Sequence, residues 1–185
     1  MTNQLWSSIR RSRTPATFTL LGVIALGYIA QLVFGESLVY SFGFYPPLLW
    51  AEPWRLITSA FIHNGIMHVM FNGYSLWVLG NLIERVIGSA RFLLVFTVSV
   101  ITGCLAVMVL SPESLTVGAS AGIFGLFSAL FVINRGLGGN NVSLLAIIGL
   151  NLAIGFIVPG IAWEAHVGGL IGGLVTTLFL RRAQR

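Results

Sequence analysis

The sequence predicts an all-α membrane protein, a bundle of six transmembrane helices with a long interfacial loop between helices 1 and 2. Three observations carry that expectation. Charged residues make up 8% of the 185-residue chain and hydrophobic ones 56%, where a soluble domain carries roughly a quarter charged; the mean hydropathy is +0.92. Six apolar segments of about bilayer-crossing length occupy residues 16–34, 66–83, 92–110, 117–133, 142–158 and 162–180. The few charges are sorted by side. With six spans, one side holds Arg10, Arg11, Arg13, Arg85, Arg91, Arg135, Arg181, Arg182 and Arg185 against Glu84, and the other holds Arg55 with Glu36, Glu52, Glu113 and Glu164. An odd number of spans would scramble that asymmetry. The positive-inside rule then puts both termini in the cytoplasm.

Taken in order, residues 1–15 are a basic cytoplasmic tail, 16–180 a single membrane domain and 181–185 a second basic tail. No small-residue cleavage site follows the first apolar run, so it reads as a retained helix and not a signal peptide. Residues 35–65 contain Trp54-Arg55, several aromatics and Pro46, Pro47 and Pro53. This stretch is too apolar for a solvated linker and fits the membrane interface, where Trp and Tyr concentrate. The later connections are short, so neighbouring helices should run antiparallel. Cys104 lies mid-segment and forms no disulfide. The arginines are dispersed among loops and termini, which argues against a nucleic-acid partner.

The polar residues inside apolar segments are where chemistry is expected. Ser120 follows the loop Ser111-Pro112-Glu113-Ser114 and opens the fourth span toward its outer end. A helix N-terminus there offers unpaired N–H groups and a positive partial charge, which suit a serine nucleophile and an oxyanion. His166 begins a glycine-rich face on the last span, with Gly169 and Gly173 four apart, as are Gly168 and Gly172. Small residues on the fourth span (Gly118, Ala121, Gly122, Gly125) allow those helices to approach closely. That packing would bring Ser120 and His166 to similar depth. Glu164, about 200° round the helix from His166, points elsewhere, and the chain has no Asp. Any catalysis must therefore use a Ser–His dyad. The lack of Asp excludes a two-aspartate mechanism, and no His-Glu-x-x-His zinc motif is present; no metal or cofactor is expected. His68 and Asn72, at i and i+4 on one face of the second span, could donate to an oxyanion together with the Ser120 amide. For His63, just before that span, a structural bond within its loop is expected.

Trp54-Arg55, His63…His68-x-x-x-Asn72, Gly118-x-Ser120 and Ala165-His166-x-x-Gly169-x-x-x-Gly173 together resemble the rhomboid family of intramembrane serine proteases. The resemblance runs from Trp54 to Gly173 and corresponds to the minimal six-span bacterial form, which would place the chain in a bacterial plasma membrane. It implies Ser120 as nucleophile, His166 as general base, and His68, Asn72 and the Ser120 amide as oxyanion donors. Trp54 and Arg55 would belong to a structured loop in the outer leaflet, Glu84 with Arg85 would cap helix two on the cytoplasmic side, and Phe124 would lie against the histidine. Two departures stand out. Ala121 replaces the frequent glycine after the nucleophile, where its methyl could shift the packing slightly. Phe124 lacks the hydroxyl of the tyrosine often found there. The substrates implied are transmembrane segments of membrane proteins, cut near the outer leaflet, with residues 157–161 as a movable roof over the cavity. The alternatives are a non-catalytic relative that binds transmembrane helices, which the retained Ser120 and His166 disfavour, and a transporter, for which internal repeats are missing.

Overall fold

The computed structural model describes residues 13–183; Arg10, Arg11 and Arg185 lie outside the described residues. Eight α-helices run in order: α1 (Pro15–Phe34), α2 (Glu36–Phe42), α3 (Arg55–Thr58), α4 (Ile66–Ile87), α5 (Ser89–Leu110), α6 (Ser120–Gly136), α7 (Val142–Ile157) and α8 (Trp163–Arg182). Short 3-10 turns at Pro46–Leu48 and Ser59–Phe61 flank α3. Among the described residues there is no strand, and one isolated antiparallel bridge joins Phe44 to Thr116. Each of the six apolar segments is one helix: α1, α4, α5, α6, α7 and α8. Three of them, α1, α5 and α8, are long and apolar enough to cross a membrane, and α6 and α7 are shorter apolar helices. The chain is an integral membrane protein built as a helical bundle.

The packing centre is α6. Nine of its seventeen residues are buried, against α8 on one side and α5 on another. Close approach explains the glycines of α8. A Cβ on Gly169 would fall on the Ala121 carbonyl, and one on Gly173 would fall on Gly125. The other glycine pair turns toward α5, where a Cβ on Gly168 would lie 2.7 Å from the Ala106 methyl. The outermost helix is α7, which buries only Ile148 and Gly155. It leans on α8 through the stacked rings of Phe156 and Trp163, 4.4 Å apart.

The segment between α1 and α4 is folded around Arg55. This guanidinium is buried, donating to the Tyr40 carbonyl at 2.6 Å and the Gly43 carbonyl at 2.7 Å, and it pairs with Glu52. Phe44 and Thr116 exchange two backbone hydrogen bonds of 2.8 Å, so the segment is fastened to the strand-like stretch that leads into Ser120. Trp54 is about half exposed.

Glu84 corrects one expectation. It caps α1 and not its own helix. Its carboxylate, buried near the C-terminal end of α4, accepts from the Ala16 amide (2.9 Å), the Thr17 amide and hydroxyl (2.7 Å each) and the Ser89 hydroxyl (2.6 Å). The reason is an accounting one. The first turn of α1 opens on Pro15, and Thr14 provides no side-chain cap, so the amides of Ala16 and Thr17 need an acceptor from elsewhere. Removing it would orphan three buried donors and the part-buried Ser89 hydroxyl. Glu84→Ala is therefore expected to cost about 3 kcal/mol or more, measured as loss of thermal stability in detergent. An unchanged melting curve would show that water replaces the carboxylate.

Candidate active site

Ser120 is the first residue of α6 and His166 lies in the first turn of α8. The glycine contacts between these helices set them side by side, and His166 Nε2 lies 3.0 Å from Ser120 Oγ. The imidazole stacks on Phe124 with ring centroids 4.2 Å apart and planes 14° from parallel. Phe124 is one turn after Ser120, so the helix that presents the hydroxyl also orients the ring facing it. No protein group bonds Nδ1 of His166. That nitrogen faces α7, where a Cβ on Gly155 would come within 3.4 Å of it. Glu164 instead accepts a hydrogen bond from the Ser111 hydroxyl, consistent with its expected direction away from the histidine.

A cavity of about 490 Å³ opens on the pair, and its walls include His68, Asn72, Ser120, Phe124 and His166. Val117 from the stretch before α6 and Pro159, Gly160 and Ile161 from the α7–α8 connection also line it. His68 Nδ1 accepts the Asn64 amide at 3.2 Å, which makes Nε2 the protonated nitrogen. That edge rests on Gly118, where an added Cβ would sit 2.7 Å from Nε2. Gly118 has φ +114°, a backbone region other residues rarely adopt, so glycine serves both the turn and the close approach. Asn72 is buried in the wall and donates to the His68 carbonyl at 2.9 Å. One of its two N–H bonds is thus used within α4, while its buried Oδ1 has no protein partner.

His63 has a larger role than a loop bond. Its backbone pairs with the Gln31 side chain of α1 in both directions at 2.9 Å, and its Nε2 faces the Ala119 amide at 3.5 Å. It therefore supports the residue just before Ser120 from below. Gln31 and Asn151, the latter another cavity-lining residue, were not singled out by the sequence reasoning. Each is a polar residue inside an apolar helix, and that signal was present. Neither Trp54 nor Arg55 lines the cavity; Arg55 holds the loop beside it. Among the described residues, no group of three or more His, Cys, Asp or Glu is arranged to hold a metal.

The fold is thus a membrane bundle in which a buried histidine and a serine meet at a mostly apolar cavity. Residues 51–183 match the Rhomboid domain family, and the chain belongs to the rhomboid family. Rhomboid protease GluP of Bacillus subtilis (strain 168) is 42% identical over 127 residues, 66% of this chain and 25% of that protein. Putative rhomboid protease YdcA of the same organism is 36% identical over 141 residues, covering 72% of this chain and 71% of its own length. RHOMBOID-like protein 1 of Arabidopsis thaliana is 35% identical over 141 residues, 72% of this chain and 36% of that protein. The chain thus spans between 25% and 71% of these relatives.

Burial pushes the His63 imidazole down to about 3, with repulsion from His68 adding to the effect and the Phe61 carbonyl opposing it. The neutral ring can then accept from Ala119 throughout the physiological range. The folded state disfavours protonation here, while the unfolded chain protonates near 6.5. Stability from this residue is therefore complete above about pH 6.5 and is lost as pH falls toward 3, at up to about 1.4 kcal/mol per unit. Thermal unfolding between pH 7 and 5 should show the loss, and His63→Gln should flatten it.

Proposed function

We propose that this chain is an intramembrane serine endopeptidase that cleaves transmembrane segments of membrane proteins near the outer leaflet. The observation that carries the reading is the 3.0 Å contact between Ser120 Oγ and His166 Nε2 inside a cavity that also holds two side-chain donors. Six spans are the topology that best fits the arginine asymmetry. Both termini are then cytoplasmic, the loop between α1 and α4 lies in the outer interface, and the membrane is a bacterial plasma membrane. The seventeen residues of α6 rise only about 25 Å, less than a bilayer core. Its ring of protein neighbours makes that length tolerable.

In the proposed reaction Ser120 Oγ attacks the substrate carbonyl carbon as its proton passes to His166 Nε2. The carbonyl oxygen becomes an oxyanion, stabilised by the Ser120 amide, His68 Nε2–H and the second N–H of Asn72. The intermediate collapses, the C–N bond breaks, and the imidazolium gives its proton to the departing amine. A water then gives a proton to His166 and attacks the acyl-serine, and the return of that proton to Ser120 Oγ releases the acid. A substrate helix hides its peptide bonds in its own hydrogen bonds, so the segment cut must unwind into the cavity. Segments with Gly or Pro, and small residues at the scissile bond, suit that step. Pro159 and Gly160 (φ +84°) lie in the roof and fit a cover that moves aside.

A fluorophosphonate probe should label the parent protein and leave Ser120→Ala unlabelled. Ser120→Ala and His166→Ala should each abolish cleavage of a transmembrane substrate while the detergent-solubilised fold is kept. The double variant should be no worse than either single one, since both disable the same step. Substantial turnover by Ser120→Ala would overturn the reading.

Asn72→Ala should lower turnover by about 10²-fold, the usual loss for one oxyanion donor, and weaken substrate binding far less. Steady-state kinetics on a fluorogenic transmembrane substrate separates the two. Unchanged turnover would remove Asn72 from the site.

A further inference from the structure

The cavity does not stop at the Ser120–His166 pair. Ile123 and Phe127 line it one and two turns below Ser120 on α6, so it continues for about 10 Å along that helix. At this depth two other walls each place one polar side chain. Ser75 on α4 lies three residues beyond Asn72, and Asn151 on α7 lies three residues before Ile154; all four line the cavity. The proposed dyad and oxyanion donors use neither Ser75 nor Asn151.

A hydroxyl in an apolar helix ordinarily turns back on its own backbone. Ser99 donates to the Val95 carbonyl and Thr177 to the Gly173 carbonyl in this way, at 2.7 Å each. The part-buried Ser75 hydroxyl makes no such bond and has no partner among the described residues. Asn151 uses one N–H on the Ile147 carbonyl at 2.8 Å, which leaves Oδ1 with both lone pairs. Together the two side chains keep more lone pairs than hydrogens. They are a surplus of acceptors, set beside the path that a substrate helix would follow past the cut.

That surplus matches a chemical need. When a substrate enters with its N-terminal end on the outer side, unwinding it at the scissile bond creates a new helix N-terminus just beyond the cut. The first amides of that helix have lost their carbonyl acceptors, which is strongly unfavourable inside hydrocarbon. We propose that Ser75 and Asn151 are substrate-positioning residues that cap this new N-terminus, Ser75 Oγ and Asn151 Oδ1 accepting from its free amides. The inference rests on the proteolytic reading and deepens it by assigning a substrate class. The pair serves helices that carry no capping side chain of their own after the cut. Substrates with Ser, Thr, Asn or Asp there supply the cap themselves.

The test uses fluorogenic transmembrane substrates of about 20 apolar residues. One has Leu throughout the first turn after the cut, and the others have Asn at the second, third or fourth position after it. The full-length parent should cut the Leu substrate and the best Asn substrate with similar kcat/KM. Ser75→Ala with Asn151→Leu should lose about thirtyfold on the Leu substrate and recover on one of the Asn substrates. Each single variant should lose about fivefold, the usual effect of one removed helix cap. Ser75→Thr keeps the acceptor and should retain the parent's ratio. Because the ratio of two substrates is read within one protein, a general loss of folded enzyme does not imitate it. Asn151 is exposed, on a helix that buries only Ile148 and Gly155, so Asn151→Leu alone gives the reading if Ser75→Ala does not fold. Equal losses on the Leu and Asn substrates, or the parent's ratio in Asn151→Leu, would overturn the inference; fluorophosphonate labelling of Ser120 in the parent would then leave the proteolytic reading standing. A parent that is neither labelled nor able to cut any of the substrates would overturn both.

Discussion

The contact between α6 and α8 through Gly169 is the constraint on which the rest depends. Inside a bilayer the hydrophobic effect does not draw helices together, and close packing has to. Gly169 sets its backbone against the Ala121 carbonyl, one residue after Ser120 and one turn after His166. A side chain at that point would separate the helices and open the 3.0 Å distance between the pair. The same contact explains how the chain accommodates Ala121. Its methyl group is directed at α5, where Gly103 has no side chain; a Cβ there would stand 2.6 Å from it. The expected disturbance is absorbed by a third helix, and the crossing with α8 stays tight.

Around that contact, buried polar groups act as long-range fasteners. Arg55 gathers the carbonyls of Tyr40 and Gly43, which sets Phe44 for its bridge to Thr116. Two residues on, the Gly118 amide donates to the Ser59 carbonyl at 2.8 Å, and His63 Nε2 faces the next amide, that of Ala119. The loop between α1 and α4 thus holds the stretch from Thr116 through the turn at Gly118 and Ala119, which leads into the helix at Ser120. In a low-dielectric surrounding each such bond is costly to leave unmade. The fasteners are therefore mutually dependent, and the geometry at Ser120 is fixed from the loop side as well as from α8.

The six helices and the Ser120–His166 pairing were legible because their signals are local. Apolar runs of fixed length, glycines four apart and single polar residues in apolar helices are all visible along the chain. The role of Glu84 was not. The family resemblance implied a cap for helix two, yet its partners Ala16 and Thr17 are 68 and 67 residues away. Likewise Gln31 gave no hint that its partner is the backbone of His63, because that pairing exists only once α1 lies against the start of α4. Helix ends shifted by a few residues for a similar reason. Gly88, with φ +81°, both stops α4 and starts α5, so α5 begins at Ser89 and not at residue 92.

The absence of an orienting acid for His166 follows from the same economy. Three of the acidic side chains at this end are engaged elsewhere: Glu164 with Ser111, Glu113 with Tyr45, Glu52 with Arg55. A carboxylate placed at Nδ1 would have to be desolvated among α6, α7 and α8, at a cost its attraction to a neutral imidazole would not offset. Stacking on Phe124 aligns the ring without adding charge. In the proposed reaction the imidazolium exists only while the oxyanion does, and the two opposite charges arise together within one cavity. Their mutual attraction then stabilises the intermediate and not the resting state, the differential that catalysis requires. The missing tyrosine hydroxyl at position 124 fits this account, since the ring face is what orients the base.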